Sequence, residues 1–366
     1  MIELAEVTKT FGNKVAVNNI NLNIKKGSIT ILIGPSGCGK TTILRMINRL
    51  TPYDKGDILI NGTSINNIDP VELRRNIGYV IQEIGLFPHL TVFENIAIVP
   101  RLLKWEQKKI EKRVKELLDL VTLDHSFAQK YPLQLSGGEK QRVGIARALA
   151  AEPEILLMDE PFGAIDPINR LKLQDSFLEI QEEIEKTVVF VTHDINEAIK
   201  LGNKIAIVNN GNLVQYDEVV KILNKPVNEF VENLLGKDRN LKALSLKKTK
   251  DLITKDGFIT VSNIESHEKV KEKMIKKDVF IAFALNENDH LKGRFLLEKE
   301  QGIEKLRLIY NSAPWIIERQ NNLNEALSKM LEAGEKELPV VDRRKKFVGV
   351  IKLSNIFEEF KKNKTF

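Results

Sequence analysis

Cysteine is nearly missing from this chain: Cys38 stands alone among 366 residues, so no internal disulfide can form. A fold without cross-links suits a reducing cytoplasm. Long apolar runs are lacking as well, and none approaches the roughly 20 residues that a membrane helix needs. The start, Met1-Ile-Glu-Leu-Ala-Glu, has neither a basic opening nor a small-residue cleavage site, so no signal peptide is expected. Neither sign of charge dominates: 56 basic against 50 acidic residues give a formal net charge of +6. That mild excess fits a nucleic-acid or anionic-membrane partner, and it also fits a Lys-rich solvated surface. What is present is ordinary for a soluble globular protein, with 42% hydrophobic and 29% charged residues. The length predicts two or three domains.

Ile2, Leu4 and Val7, then Val15, Val17, Ile20, Leu22 and Ile24, alternate with polar residues, which predicts half-buried antiparallel strands. Ile29–Ile33, Ile155–Met158, Val188–Val191 and Ile205–Val208 are instead continuous apolar runs, as expected of strands buried on both faces of a parallel α/β sheet. Between them, Ile110, Val114, Leu117, Leu118 and Val121 form a helical stripe, and Leu173, Phe177, Ile180 and Ile184 form another. Asn209-Asn-Gly211-Asn predicts a turn into a late strand, with the first domain ending near residue 236.

Gly34, Pro35, Ser36, Gly37, Cys38, Gly39, Lys40 and Thr41 fit G-x-x-x-x-G-K-[ST], after the first apolar run and before an expected helix over 41–50. Such glycines let backbone N–H groups turn inward around phosphates. Lys40 can reach the β- and γ-phosphates, Thr41 can ligate Mg²⁺, and the helix N-terminus, with Thr42 in its first turn, favours the negative charge. Cys38, inside this cradle, is expected to meet thiol reagents unless nucleotide protects it. Asp159 and Glu160 end an apolar run, where one carboxylate can hold the Mg²⁺ shell and the next can face an attacking water. His193 closes the following apolar run on the same expected sheet edge. Ser136 and Glu139 make an S-x-x-E capping box that opens a helix expected over 140–151. Gly137 and Gly138 leave its N-terminus bare at a cost of about 1 kcal/mol each, which suits close approach to an anion.

In this order, the P-loop, Leu135-Ser-Gly-Gly138, the Asp159–Glu160 strand and His193 resemble the ATP-binding cassette (ABC) ATPases over roughly residues 1–236. The resemblance implies an α/β fold. It would be a P-loop NTPase ABC cassette with a RecA-like core plus antiparallel β and helical subdomains, the helical one at about 86–153. It also implies ATP and Mg²⁺ as cofactors. Phe11 would stack on adenine, and Gln82 would join Thr41 and Asp159 around the ion while sensing the membrane subunit. Glu160 would be the general base, His193 the γ-phosphate sensor, and Asp166 part of the D-loop. Ser136, Gly137, Gly138 and Glu139 would serve the ATP of a second copy, so the chain would act as a head-to-tail homodimer.

The segment Ile77-Gly-Tyr-Val-Ile-Gln82-Glu-Ile-Gly-Leu-Phe-Pro-His89, together with the tail, resembles the ATPases of quaternary-amine importers, which take up glycine betaine, carnitine or choline. That implies integral-membrane permease subunits and, indirectly, a substrate-binding protein. It also implies a peripheral place on the cytoplasmic face of the cell membrane. The alternatives are an ABC ATPase of another importer and a soluble ABC ATPase acting on nucleic acid. The single cassette, and the lack of a heptad insertion between Gln82 and Ser136, speak for a transporter with no nucleic-acid partner.

After an expected Lys-rich linker, 237–250, Met274–Gly293 aligns without a gap on Met330–Gly349, a repeat whose copies should pair. Glu337-Leu-Pro-Val-Val-Asp342 and Phe347-Val-Gly-Val-Ile351 resemble cystathionine-β-synthase (CBS) domains, implying a small α+β tandem regulatory domain over 251–366. The Thr or Ser and Asp that hold a ribose in that family are replaced by Lys352 and Asn355, and by Leu296 and Lys299. A cyclic dinucleotide at a dimer interface, or anionic lipid against Arg343-Arg-Lys-Lys346, are the partners this leaves for the tail.

Overall fold

The computed structural model describes residues 1–82, 85–163, 165–300, 303–310 and 315–362. Glu83 and Ile84 of the Ile77–His89 segment, and the side chains of Ile184 and Lys299, lie outside the described residues. The chain divides into two compact units, Met1–Gly236 and Lys237–Phe366.

In the first unit, the alternating N-terminal residues form β1 (Ile2–Phe11) and β2 (Lys14–Ile24), and an antiparallel sheet in the order β2-β1-β4-β5 includes β4 (Lys55–Ile60) and β5 (Thr63–Ser64). Ile2 pairs with Ile24 and Ile60, and Leu4 with Leu22 and Ile58, so the apolar positions of three strands share one buried face. Val15 departs from the expected alternation and is 45% exposed, because register shifts on either side of Lys9 turn it outward.

The continuous apolar runs become β3 (Ile29–Ile33), β7 (Ile155–Asp159), β8 (Thr187–Val191) and β9 (Lys204–Asn209), joined by β6 (Ile77–Val80) and β10 (Asn212–Glu218) in the order β10-β9-β3-β8-β7-β6. All pairings are parallel except that of β10 with β9. Every residue of β3, β7 and β8 is buried, as their lack of alternation demands. Because the three strands run in one direction, the segments following Ile33, Met158 and Val191 meet at one edge of the sheet, where ligands bind in open α/β folds.

Nine α-helices are described in this unit: α1 (Lys40–Ile47), α2 (Pro70–Arg75), α3 (Val92–Leu102), α4 (Gln107–Leu120), α5 (Gly137–Leu149), α6 (Pro167–Ile184), α7 (Ile195–Leu201), α8 (Val219–Asn224) and α9 (Glu229–Leu235). Helices α3, α4 and α5 pack on one another, α4 burying Ile110, Val114, Leu117 and Leu118 as its stripe predicts. Helix α5 begins at Gly137 and ends at Leu149, not over 140–151 as expected, since the glycines already take helical backbone behind the Ser136 cap.

The second unit opens with α10 (Arg239–Ser245), which overturns the expected linker over 237–250. Leu244 is 1% exposed and belongs to the unit's core, and Thr249 is fully buried. Backbone bonds from Thr249 N to Asn321 O (2.8 Å) and from Lys250 N to Arg319 O (3.0 Å) tie the segment down. Lys248 and Lys250 are exposed, while Lys242 and Lys247 pair with Asp238 and Glu359, and the apolar residues between them decide the segment's fate.

Two repeats follow. The first has β11 (Ile259–Ser262), α11 (His267–Lys276), β12 (Ile281–Leu285) and β13 (Leu291–Glu300), continued by β14 (Ile303–Tyr310). The second has β15 (Ile317–Glu318), α12 (Leu323–Ala333), β16 (Glu337–Val341), β17 (Phe347–Lys352) and α13 (Leu353–Lys362). Their registers coincide: Ala284 faces Gly293 as Val340 faces Gly349. So do their turns. Asn286 Oδ1 accepts from Asn288 N (3.1 Å) and His290 N (2.8 Å), and Asp342 Oδ1 accepts from Arg344 N (2.8 Å) and Lys346 N (2.9 Å). The copies diverge after the last shared strand, where the first adds β14 and the second adds α13.

Candidate active site

The loop after β3 is shaped by close backbone approach. A Cβ on Gly34 would fall 2.0 Å from the Val208 carbonyl oxygen, and one on Gly39 (φ 110°) would fall 2.3 Å from that of Ala16. Gly34, Cys38, Gly39 and Lys40 are buried at the base of the loop, while Pro35, Ser36 and Gly37 form its exposed crest. Lys40, 7% exposed, donates from Nζ to the carbonyl oxygens of Gly34 (2.7 Å) and Pro35 (2.9 Å). Cys38 contradicts the expected accessibility. Cys38 is 3% exposed, its thiol turned into the core, where Sγ accepts from Lys40 Nζ at 3.7 Å instead of facing the loop's crest.

Thr41, in the first turn of α1, donates from Oγ1 to Asp159 Oδ1 at 3.1 Å. Asp159 ends β7 at 2% exposure, and burial, reinforced by the neighbouring Glu160 charge, holds its carboxyl above the usual range despite the Thr41 bond. Glu160 then leaves the strand through left-handed backbone (φ 48°), its N–H donating to Val191 O at 3.0 Å. This turn brings its carboxylate between two other predicted residues: Gln82 Nε2 is 3.4 Å from Oε2, and His193 Nδ1 is 3.2 Å from Oε1.

A cleft of about 370 Å³ joins Phe11, Lys14, Ala16, the loop residues Ser36, Gly37 and Gly39 to Thr42, Gln82 and Glu160. Phe11 is 52% exposed at its rim, with Lys9 Nζ 5.3 Å from the ring centre. A second cleft of about 310 Å³ reaches Thr41, Gln82 and Asp159 from the far side, past Arg45 and Tyr79. A larger hollow of about 600 Å³, between Met1, Glu72 and Pro153, holds none of these residues. Arg45, Tyr79 and Lys14 escaped sequence reasoning. Arg45 lies five positions after Lys40 in α1 and Tyr79 in the unrecognised strand β6, outside any contiguous motif.

Ser136, Gly137, Gly138, Glu139 and Asp166 line neither of the first two clefts. They cap helices instead. Ser136 Oγ accepts from Glu139 N (3.3 Å), while Glu139 Oε2 accepts from Ser136 N (2.7 Å), which lowers the Glu139 pKa. A Cβ on Gly137 would meet nothing within 4 Å, so this chain by itself does not require glycine there. Asp166 caps α6 by accepting from Asn169 N at 3.1 Å, and the bond from the Asn169 side chain (2.9 Å), followed by this backbone bond, lowers its pKa.

A family model for ABC transporters matches residues 17–163, and one for the CBS domain matches residues 309–362, the second repeat. The carnitine transport ATP-binding protein OpuCA of Listeria monocytogenes is 44% identical, the alignment covering 98% of this chain and 91% of that protein. The glycine betaine/carnitine/choline transport ATP-binding protein OpuCA of Bacillus subtilis is 42% identical over 98% of this chain and 96% of its own length. Among solved structures, a dimeric post-hydrolysis state of the ATP-binding cassette MJ0796 with ADP and Pi is similar at a TM-score of 0.56 and 39% identity, covering 60% of this chain and 98% of that one. The phosphate loop, the acidic strand end and the CBS repeat therefore stand in a known setting, and the chain belongs to the family of ABC-transporter ATPase subunits that carry a C-terminal CBS domain.

Proposed function

We propose that this chain powers import of a quaternary-amine osmoprotectant, of the glycine betaine, carnitine or choline class, by hydrolysing ATP beside a membrane permease. The names of its full-length relatives support the solute class. The observation that carries the hydrolytic reading is the Glu160 carboxylate, held between Gln82 and His193 at the rim of the phosphate loop. Glu160 is the general base, taking the proton of the attacking water. Lys40 and the loop N–H groups hold the phosphates, Phe11 stacks on the base, and His193 meets the γ-phosphate.

Thr41, Asp159 and Gln82 offer hydroxyl, carboxylate and amide oxygens, a hard donor set that fits Mg²⁺. Among the described residues no group of three His, Cys, Asp or Glu side chains could hold a metal, so phosphate and water oxygens would complete the shell. When bound, the ion neutralises phosphate charge.

The open space at Gly137 supports a dimer in which Ser136–Glu139 and Asp166 act on the partner's nucleotide. No described helix is long and apolar enough to cross a membrane, which agrees with a peripheral subunit held by a permease at the cytoplasmic face. The tail regulates turnover. A hollow of about 440 Å³ lined by Arg319, Gln320, Asp342, Arg343, Arg344 and Lys346 keeps an excess of basic groups over the one carboxylate, which supports an anionic partner, either a cyclic dinucleotide or lipid headgroups.

Glu160→Gln tests the hydrolytic reading. Hydrolysis should fall roughly 10²–10⁴-fold while ATP binding persists, and light scattering at saturating Mg-ATP should find a dimer. Retained turnover would refute the assignment. The solute class is tested by reconstitution with a membrane permease that copurifies with this chain, and uptake of labelled betaine, carnitine and choline; uptake of none of the three would refute it.

A further inference from the structure

Beneath His193 lies a polar cluster with no part in the site described above. Thr192, Glu197 and Gln174 are 2%, 7% and 2% exposed and come from three places: the residue just after β8, helix α7 and helix α6. Thr192 Oγ1 donates to Glu197 Oε2 at 2.6 Å, and Gln174 Nε2 donates to Glu197 Oε1 at 3.1 Å. The same Thr192 hydroxyl accepts from Asp194 N at 3.0 Å, and Thr192 N donates to Leu32 O, one residue before the end of β3.

His193 thus sits between two residues held by one hydroxyl, while its own side chain is 66% exposed and contacts Glu160. A buried carboxylate is costly unless something uses its bonds. Here both its oxygens are engaged, one by the histidine turn and one by the helix that Asp166 caps.

We infer that Glu197, acting through the Thr192 hydroxyl, is a positioning residue for His193, and that Gln174 anchors it to α6. The inference rests on the reading of His193 as the γ-phosphate contact. A histidine on a turn without this support would keep its chemistry and lose its placement, and misplacement of a reacting group by about 1 Å costs on the order of 10²-fold.

The test uses the full-length chain. Thr192→Val preserves side-chain volume and removes the hydroxyl. The turnover number should fall roughly tenfold to a hundredfold, while KM for ATP stays within about twofold. Thr192→Ser should restore the rate. Glu197→Ala should behave like Thr192→Val, whereas Glu197→Gln should stay near the parent, since its amide oxygen can accept from Thr192 while the Gln174 amide turns over. A second readout is independent of turnover. Of the five histidines, the imidazole resonance lost in His193→Ala should shift or broaden in Thr192→Val.

Parent turnover and an unmoved resonance in Thr192→Val, with His193→Ala inactive, would overturn the inference and spare the reading of His193. A loss shared equally by turnover, ATP affinity and melting temperature, and not rescued by serine, would also overturn it by showing plain packing. Full activity in His193→Ala would overturn both.

Discussion

At the scale of single residues, the site is a set of side chains whose directions are set by what lies behind them. Lys40 is aimed by two loop carbonyls, Asp159 by Thr41, and Glu160 by its left-handed turn against Val191. Cys38 is the instructive case, since it lies inside the proposed phosphate loop while its thiol faces the core. Modification therefore needs the loop to open. A maleimide should label the native chain at a small fraction of the denatured rate, and Mg-ATP should slow it further by holding the loop closed. Native and denatured labelling at equal rates, followed by mass spectrometry, would contradict the burial.

At the scale of elements, helix termini do much of the positioning. The Ser136–Glu139 box closes the N-terminus of α5, and the backbone bond from Ser136 is the main reason the Glu139 pKa is lowered. A carboxylate with a depressed folded-state pKa adds stability above its unfolded value, 4.5 for Glu139, and loses it as pH falls through the folded one. Glu139→Gln keeps an acceptor for Ser136 N and cannot titrate, so its melting temperature should decline less steeply than the parent's below about pH 4.5. Parallel melting curves from pH 3 to 5 would rule this contribution out.

Helix α10 gives a second element-scale test. Leu244→Ala should destabilise the second unit by about 2–5 kcal/mol, the cost of emptying a core position. The chain has two tryptophans. In a Trp105→Phe background, the buried Trp315 reports on that unit alone during denaturant unfolding. No change would restore the view of residues 237–250 as a mere linker.

At the scale of the whole molecule, the residues proposed to handle phosphate all lie in the first compact unit and the repeats in the second. Truncation after Gly236 should leave ATP affinity intact in the isolated subunit. In the assembled transporter it should abolish the response of turnover to ionic strength or to a cyclic dinucleotide. If surface charge is the signal, neutralising Arg343, Arg344, Lys345 and Lys346 should shift the salt threshold, since screening acts over about 8 Å at physiological salt. If a dinucleotide is the signal, calorimetry should detect saturable binding to the full chain. An unchanged salt and ligand response in anionic liposomes after truncation would remove the tail from regulation.

Contiguous patterns in the sequence determined the chemistry and much of the architecture. The P-loop, the Asp159–Glu160 strand end and the buried runs of β3, β7, β8 and β9 are local, because phosphate binding and two-sided burial each constrain neighbouring residues directly. The repeat in the tail was legible for the same reason, its two turns being built from side chains that bond their own backbone. Only the tertiary structure decided that Gln82 and His193 meet on one carboxylate, that Cys38 turns inward, that the segment ahead of the repeats opens with a packed helix, and that Glu197 lies beneath the histidine turn. Each depends on contacts between residues distant in sequence or on the direction of a side chain. Sheet order and core packing set both, and local periodicity does not encode them.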